Sequence, residues 1–88
     1  MKIKQGFVLR ELGESYIVVP TGDAKLQFNG MISFNGTGAF IWRSLEKGLD
    51  REETVAALTS TYEVDEVIAA ADVDRFYGKL REACLVEE

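Results

Sequence analysis

The sequence predicts a small α+β domain of the winged helix-turn-helix type, in which a three-stranded antiparallel sheet is followed by three helices. Up to Phe34, short segments rich in Val, Ile, Leu, Phe and Tyr are separated by breaks that contain glycine, a pattern typical of strands. From Asn35 onward, apolar residues recur every three or four positions, which is the spacing of amphipathic helices. This change of period divides the chain into a sheet half and a helical half.

The size and charge of the chain narrow the range of functions. With 88 residues there is room for one modest core, so we expect residues 1–88 to form a single domain. The 15 Asp and Glu residues outnumber the 10 Lys and Arg residues, which gives a net charge of −5. An acidic chain of this kind is a poor candidate for binding the phosphates of a nucleic acid.

The sequence carries no signal for export or membrane insertion. No apolar run follows Lys2 and Lys4, as it would in a signal peptide, and no stretch has the length of a membrane span. The single cysteine, Cys84, cannot form an internal disulfide and fits a reducing compartment. We therefore predict a cytoplasmic protein that does not associate with a membrane.

Three antiparallel strands are predicted in the sheet half. The first two, residues 6–12 and Ser15–Pro20, are joined by two residues of which the first is glycine, as a type II′ hairpin turn requires. Residues 25–28 are interpreted as a continuation of the second strand after an irregular turn. Through the turn-forming pair Asn29-Gly30, this continuation would pair with a third strand at residues 31–34, which we expect at an edge of the sheet.

The first two predicted helices begin and end at residues with clear capping chemistry. The first helix, residues 36–47, follows Asn35, whose side-chain oxygen can accept a free N–H of the first turn. Gly48 suits the left-handed position that ends such a helix. The second helix begins at Asp50, and Glu53 stands three positions later, which is an Asp version of the capping box.

The third predicted helix is the longest and runs over residues 66–83 after Asp65 as its N-cap. Helical spacing then predicts which side chains face the core. They are Phe40, Ile41, Trp42 and Leu45 in the first helix, Val55, Leu58 and Tyr62 in the second, and Val73, Phe76, Tyr77, Leu80 and Cys84 in the third.

The residues that usually carry catalysis are scarce. The chain has no His, the commonest general base and metal ligand. Cys84 has no His partner and is expected to be an inert buried thiol. Gly36 and Gly38 begin a helix after a strand, but no Lys follows them as in a phosphate-binding loop. We therefore predict a protein that is not an enzyme and that needs neither a metal nor a cofactor.

A winged-helix DNA-binding or transcription-regulatory domain is the alternative that the predicted fold suggests. Its third helix should then present Arg, Lys, Asn or Gln to the base edges. Instead this helix carries Asp72 and Asp74 beside its cations Arg75, Lys79 and Arg81. Such a mixture gains little from a polyanion, and the alternative is disfavoured.

Several segments of the sequence together match a known family. The most specific of them is the helix start Asn35-x-Thr37-Gly38-Ala39 directly after a strand. The other matching segments are Phe7-Val8-Leu9-Arg10, Tyr16-Ile17-Val18-Val19-Pro20, Phe28-Asn29-Gly30, Met31-Ile32-Ser33-Phe34 and Ala71-Asp72-Val73-x-x-Phe76. Through these segments, across essentially the whole chain, the sequence resembles the PqqD family, small peptide chaperones that serve as recognition elements for ribosomally made, post-translationally modified peptides.

The resemblance implies a winged-helix-like domain that is neither an enzyme nor a DNA-binding protein. Members of the family bind the leader segment of a precursor peptide as an added strand, against the third strand and beside the third helix. They present it to a modifying enzyme, often a radical S-adenosylmethionine (radical SAM) protein. The peptide-binding residues expected here are Met31, Ile32, Ser33, Phe34, Ile68, Asp72, Arg75 and Lys79.

The predicted third strand is suited to pairing with another chain. Residues 31–34 contain no charge and no Pro, the residues with which proteins usually protect an exposed strand edge. A loop or a second copy of the chain covering this edge is the alternative, so a homodimer is left open.

Two positions depart from the family pattern: Gly36, where relatives often have Glu or Ala, and Cys84, where relatives commonly have Gly or Asn.

Overall fold

The structure is a computed structural model, and it describes residues 1–22 and 32–87. Within them, a three-stranded antiparallel sheet and three helices form an α+β fold, which confirms the predicted class. The elements are β1 (Lys2–Ile3), β2 (Phe7–Leu12), β3 (Ser15–Pro20), β4 (Ile32–Phe34), α1 (Gly36–Glu46), α2 (Arg51–Tyr62), α3 (Glu66–Glu82) and β5 (Val86–Glu87).

The larger sheet has the strand order β2-β3-β4. β2 and β3 form the predicted hairpin, with Leu12 opposite Ser15 and with Gly13 at a φ of 63° in the turn between them. β4 pairs directly with β3 and places Ser33 opposite Ile17. The predicted pairing of residues 25–28 lies outside the described residues.

A second, two-stranded sheet was not predicted. β1 pairs with β5 in antiparallel register, with Ile3 opposite Val86. Just beyond the pair, the Lys4 N–H donates to the Leu85 carbonyl at 2.9 Å. The ribbon therefore joins the first and the last parts of the described chain.

The helix starts follow the predicted capping pattern, with one exception. The Gly38 N–H donates to Asn35 Oδ1 at 2.8 Å. Asp50 and Glu53 form the complete capping box, through bonds of 2.8 and 3.0 Å. Asp65 occupies the N-cap position of α3, but its side chain makes no capping bond.

The core lies between the sheet and the three helices. Trp42 is fully buried and Phe76 is 8% exposed, so the prediction that both side chains face the core is confirmed. The buried apolar side chains are Val18, Phe34, Ala39, Ile41, Trp42, Leu45, Val55, Leu58, Ala69, Val73, Phe76, Tyr77, Leu80 and Leu85.

Two residues predicted to face the core do not. Tyr62 is 46% exposed, and its ring packs edge to face against the half-buried Phe40 ring, with 5.5 Å between the centroids. It is the last residue of α2, and the left-handed conformation of Glu63 (φ 54°) then ends the helix. Cys84 is exposed, so the prediction that it faces the core as a buried thiol is wrong.

The exposure of Cys84 has a backbone cause. The chain turns left-handed at this residue, with a φ of 60°. The Cys84 N–H donates to the Arg81 carbonyl at 3.0 Å and the Leu85 N–H to the Leu80 carbonyl at 3.0 Å, which together form a Schellman motif. The turn directs Leu85 rather than Cys84 into the core.

Candidate functional site

A surface cleft of about 260 Å³ lies where the end of β4, the first turn of α1 and the middle of α3 meet. Its walls combine apolar, aromatic and charged side chains. The lining residues are Phe34, Asn35, Thr37, Gly38, Ile41, Asp72, Arg75, Phe76 and Lys79.

One edge of β4 faces this cleft. Within the described residues, β3 is the neighbouring strand of β4, and no strand pairs on its other side. Lys79 Nζ, from α3, lies 3.3 Å from the Ser33 carbonyl oxygen. In an antiparallel ladder, the N–H and C=O of one residue point to the same side of the strand, and alternate residues point to opposite sides. The N–H and C=O of Ser33 therefore point away from β3, towards α3.

Two aromatic side chains form the apolar floor of the cleft. The Phe34 and Phe76 rings meet edge to face at 4.7 Å between centroids. Gly38 permits this close approach, because a Cβ built at this position would lie 2.9 Å from Phe76 Cε1 and 3.0 Å from Phe34 Cβ. A larger residue at position 38 would push apart the three elements that form the cleft.

The α3 wall carries two cations and one carboxylate. Arg75 Nη1 lies 3.1 Å from Asp72 Oδ1, and the Arg75 side chain is 78% exposed. Lys79 Nζ lies 5.5 Å from the centroid of the Phe34 ring. The cleft therefore combines an aromatic floor, an excess of positive charge on one wall and backbone groups of a strand edge.

Comparisons with known proteins assign the chain to a family. The family model described as "Coenzyme PQQ synthesis protein D (PqqD)" matches residues 11–86. The chain belongs to the PqqD family. The solved structure "TbiB1 in Complex with the TbiA(beta) Leader Peptide" is similar to this PqqD-family chain, with a TM-score of 0.82 and 28% sequence identity. That match covers 99% of this chain and 95% of the other. The comparison with curated proteins gives no significant match.

The structure brings together several of the residues predicted to bind peptide in this PqqD-family chain. Phe34, Asp72, Arg75 and Lys79 line the cleft. Ile32 and Ser33 lie beside it on β4, whereas Met31 lies outside the described residues. Ile68 does not line the cleft; it stands one turn before Asp72 on α3 and is 56% exposed.

Sequence reasoning missed the contribution of α1 and of Phe76 to the cleft. Asn35, Thr37, Gly38, Ile41 and Phe76 line the cleft, but none of them was predicted to bind peptide. A signal for the first three was present, because only Asn35 separates β4 from α1. So short a connection places the first turn of the helix against the end of the strand.

An ion pair joins α2 and α3 away from the cleft. Arg51 Nε lies 2.7 Å from Asp74 Oδ1, and Arg51 Nη2 lies 2.9 Å from Asp74 Oδ2. This bidentate hydrogen bonding, reinforced by charge, lowers the pKa of Asp74 and raises the pKa of Arg51.

Within the described part of the chain, no group of three or more His, Cys, Asp or Glu residues could hold a metal ion. No described helix is long and apolar enough to span a membrane.

Proposed function

We propose that this protein is a non-catalytic chaperone that binds the leader segment of a precursor peptide as an added strand on β4. The observation that carries the proposal is the outward orientation of the Ser33 N–H and C=O beside the cleft. A backbone edge of this kind can pair with an extended peptide. Membership of the PqqD family and the similarity to TbiB1, whose solved structure contains a leader peptide, support it.

Leader side chains would supply the specificity that main-chain pairing lacks. Side chains that turn towards α3 would meet the floor of Phe34 and Phe76, and Ile68 would extend this apolar contact beyond the cleft. Arg75 and Lys79 would favour an acidic leader side chain. Asp72 could accept a hydrogen bond from a leader donor once Arg75 has turned away from it.

The partner that receives the leader is proposed to be a radical SAM modifying enzyme. The support for this step is the resemblance to the PqqD family, in which such enzymes are frequent partners. Co-purification of the protein with a radical SAM enzyme, strengthened by added leader peptide, is the expected result. Sedimentation of the free protein decides between the monomer and the homodimer.

The strand-addition proposal is tested by calorimetric titration with candidate leader peptides taken from short reading frames near the gene. Ser33→Pro removes the N–H that faces the cleft, so we expect binding to weaken at least about tenfold, the loss of one well-formed hydrogen bond. Ser33→Ala is the matched control, because it keeps the N–H and removes the hydroxyl. Equal losses in both variants would contradict pairing through the backbone.

Charge attraction is tested separately from strand pairing. Because the Arg75 side chain is largely exposed, we expect Arg75→Ala to weaken leader binding by less than about 1 kcal/mol.

NMR shift mapping with the same peptide should show the largest changes on β4 and α3. Changes confined to α2 or to the β2–β3 hairpin would contradict the proposed site.

A further inference from the structure

The outer edge of β4 is occupied in the structure by a side chain of the same molecule. Lys79 Nζ donates to the Ser33 carbonyl at 3.3 Å and lies 5.5 Å from the centroid of the Phe34 ring. An added strand would direct its own N–H at the same carbonyl. The Lys79 ammonium and an incoming leader strand therefore compete for Ser33.

We propose that Lys79 guards the open edge of β4, and that a leader displaces it by supplying a carboxylate at the position opposite Phe34. The inference rests on the proposed function, since it concerns the same edge. Exposed strand edges pair readily with other chains, and a Lys on the edge is a common protection. Here the Lys reaches the edge from α3 rather than from the strand itself.

The strand geometry decides where the carboxylate stands. Phe34 is buried against Phe76 of α3, whereas Ser33 is exposed, so alternate side chains of β4 face α3 and solvent. A leader residue paired with Ser33 would likewise face solvent. Its two neighbours, opposite Ile32 and Phe34, would face α3, and the one opposite Phe34 is next to the ammonium of Lys79.

If Lys79 guards the edge in this way, leader binding exchanges one hydrogen-bond acceptor of the Lys79 ammonium for another. A neutral leader breaks the contact between Lys79 and Ser33 and provides no new acceptor side chain for the ammonium. An acidic residue opposite Phe34 replaces the neutral carbonyl with a carboxylate, which is the stronger acceptor for a cation. We expect this difference to correspond to an affinity about two- to tenfold higher for the acidic leader.

The guard itself is tested in the free protein, without any peptide. Lys79→Met keeps most of the stem and removes the donor, so we expect the NMR resonance of the Ser33 carbonyl carbon to shift upfield. Lys79→Arg keeps a donor and should leave the resonance near its parent position. Lys47→Met, which removes one exposed Lys after α1, is the control for loss of charge. A Ser33 resonance that is unchanged in Lys79→Met would overturn the guard.

The exchange is tested by selecting displayed random peptides on the parent protein and on Lys79→Met. The parent should enrich Asp or Glu at one position of the peptides, and Lys79→Met should lose that preference. Synthetic peptides with Ala at this position should bind Lys79→Met about two- to tenfold more tightly than the parent. Neutral peptides that bind both proteins equally, or parent selections without an acidic position, would overturn the exchange.

The two experiments separate this inference from the proposed function. If the parent selects no peptide that pairs with β4, the proposed function and the exchange both fail, and the carbonyl resonance still decides whether Lys79 guards the edge. If peptides bind at β4 while the resonance does not respond to Lys79→Met, strand addition stands and the guard fails.

Discussion

At the scale of single residues, two glycines at the start of α1 have different roles. A Cβ at Gly38 would meet Phe76 and Phe34 at 3.0 Å or less, whereas a Cβ at Gly36 would meet nothing within 4 Å. Both residues lie in the same helical turn and neither has a positive φ. Gly38 therefore serves the packing of the cleft floor, whereas the space beside Gly36 is open to a side chain.

This contrast gives a matched pair of substitutions. Gly38→Ala should lower the free energy of unfolding by about 1–3 kcal/mol, because the added methyl group overpacks the contact between Phe34 and Phe76. Gly36→Ala should raise it by about 0.4–1 kcal/mol, because it restricts only the unfolded chain. Urea denaturation measures both values, and equal effects of the two substitutions would contradict the packing role of Gly38.

Cys84 offers a second prediction at this scale. The same Schellman ending closes α1, where Gly48 takes the left-handed position with a φ of 83°. Cys84 takes that position in α3 with a side chain that opposes it. Cys84→Gly should therefore stabilise the protein by about 0.5–1 kcal/mol in reducing buffer. Cys84→Ala, which keeps the Cβ, is the control, and an equal gain in both variants would assign the effect to the thiol.

At the scale of the elements, the Arg51–Asp74 pair fastens the first turn of α2 to the middle of α3. Folding lowers the pKa of Asp74, chiefly through the hydrogen bonds from Arg51. The contribution to stability is thus fully present above the usual Asp pKa of about 4 and is lost as the pH falls through the lowered pKa. It weakens with salt, because both groups are about half exposed.

Thermal melts over a range of pH test this link between the helices. Asp74→Asn should melt below the parent at neutral pH, and the difference should disappear in acid as Asp74 of the parent becomes protonated. Glu82→Gln removes one charge from the same helix away from Arg51 and is the control. A difference between Asp74→Asn and the parent that is constant from neutral to acidic pH would contradict the ion pair.

At the scale of the whole molecule, the sequence predicted those features that local patterns encode. The change of period at Asn35, the capping box of Asp50 and the hairpin at Gly13 each depend on a few neighbouring residues, and all are present. The family resemblance added the strand edge and the α3 wall, of which Phe34 and Lys79 meet in the cleft.

The features that the sequence did not predict depend on distant contacts. β1 and β5 have two residues each, too few to show an alternation of apolar and polar side chains. The exposure of Cys84 follows from its left-handed backbone conformation. Helix α3 ends at Glu82, one residue before the predicted end, so helical spacing no longer determines where the Cys84 side chain points. The contact of Lys79 with Ser33 joins residues of different elements, and only the packing of α3 against β4 brings them together.

The pairing of β1 with β5 also has a consequence for the order in which the protein folds. The β2–β3 hairpin closes a loop of two residues, whereas β1 and β5 can meet only after nearly the whole chain has been brought together. A contact between such distant residues closes a long loop, which costs conformational entropy. It therefore forms late in folding, once the helices between the two residues are in place. We therefore expect the ribbon to form after the folding barrier has been crossed and to open first, ahead of the global unfolding of the core.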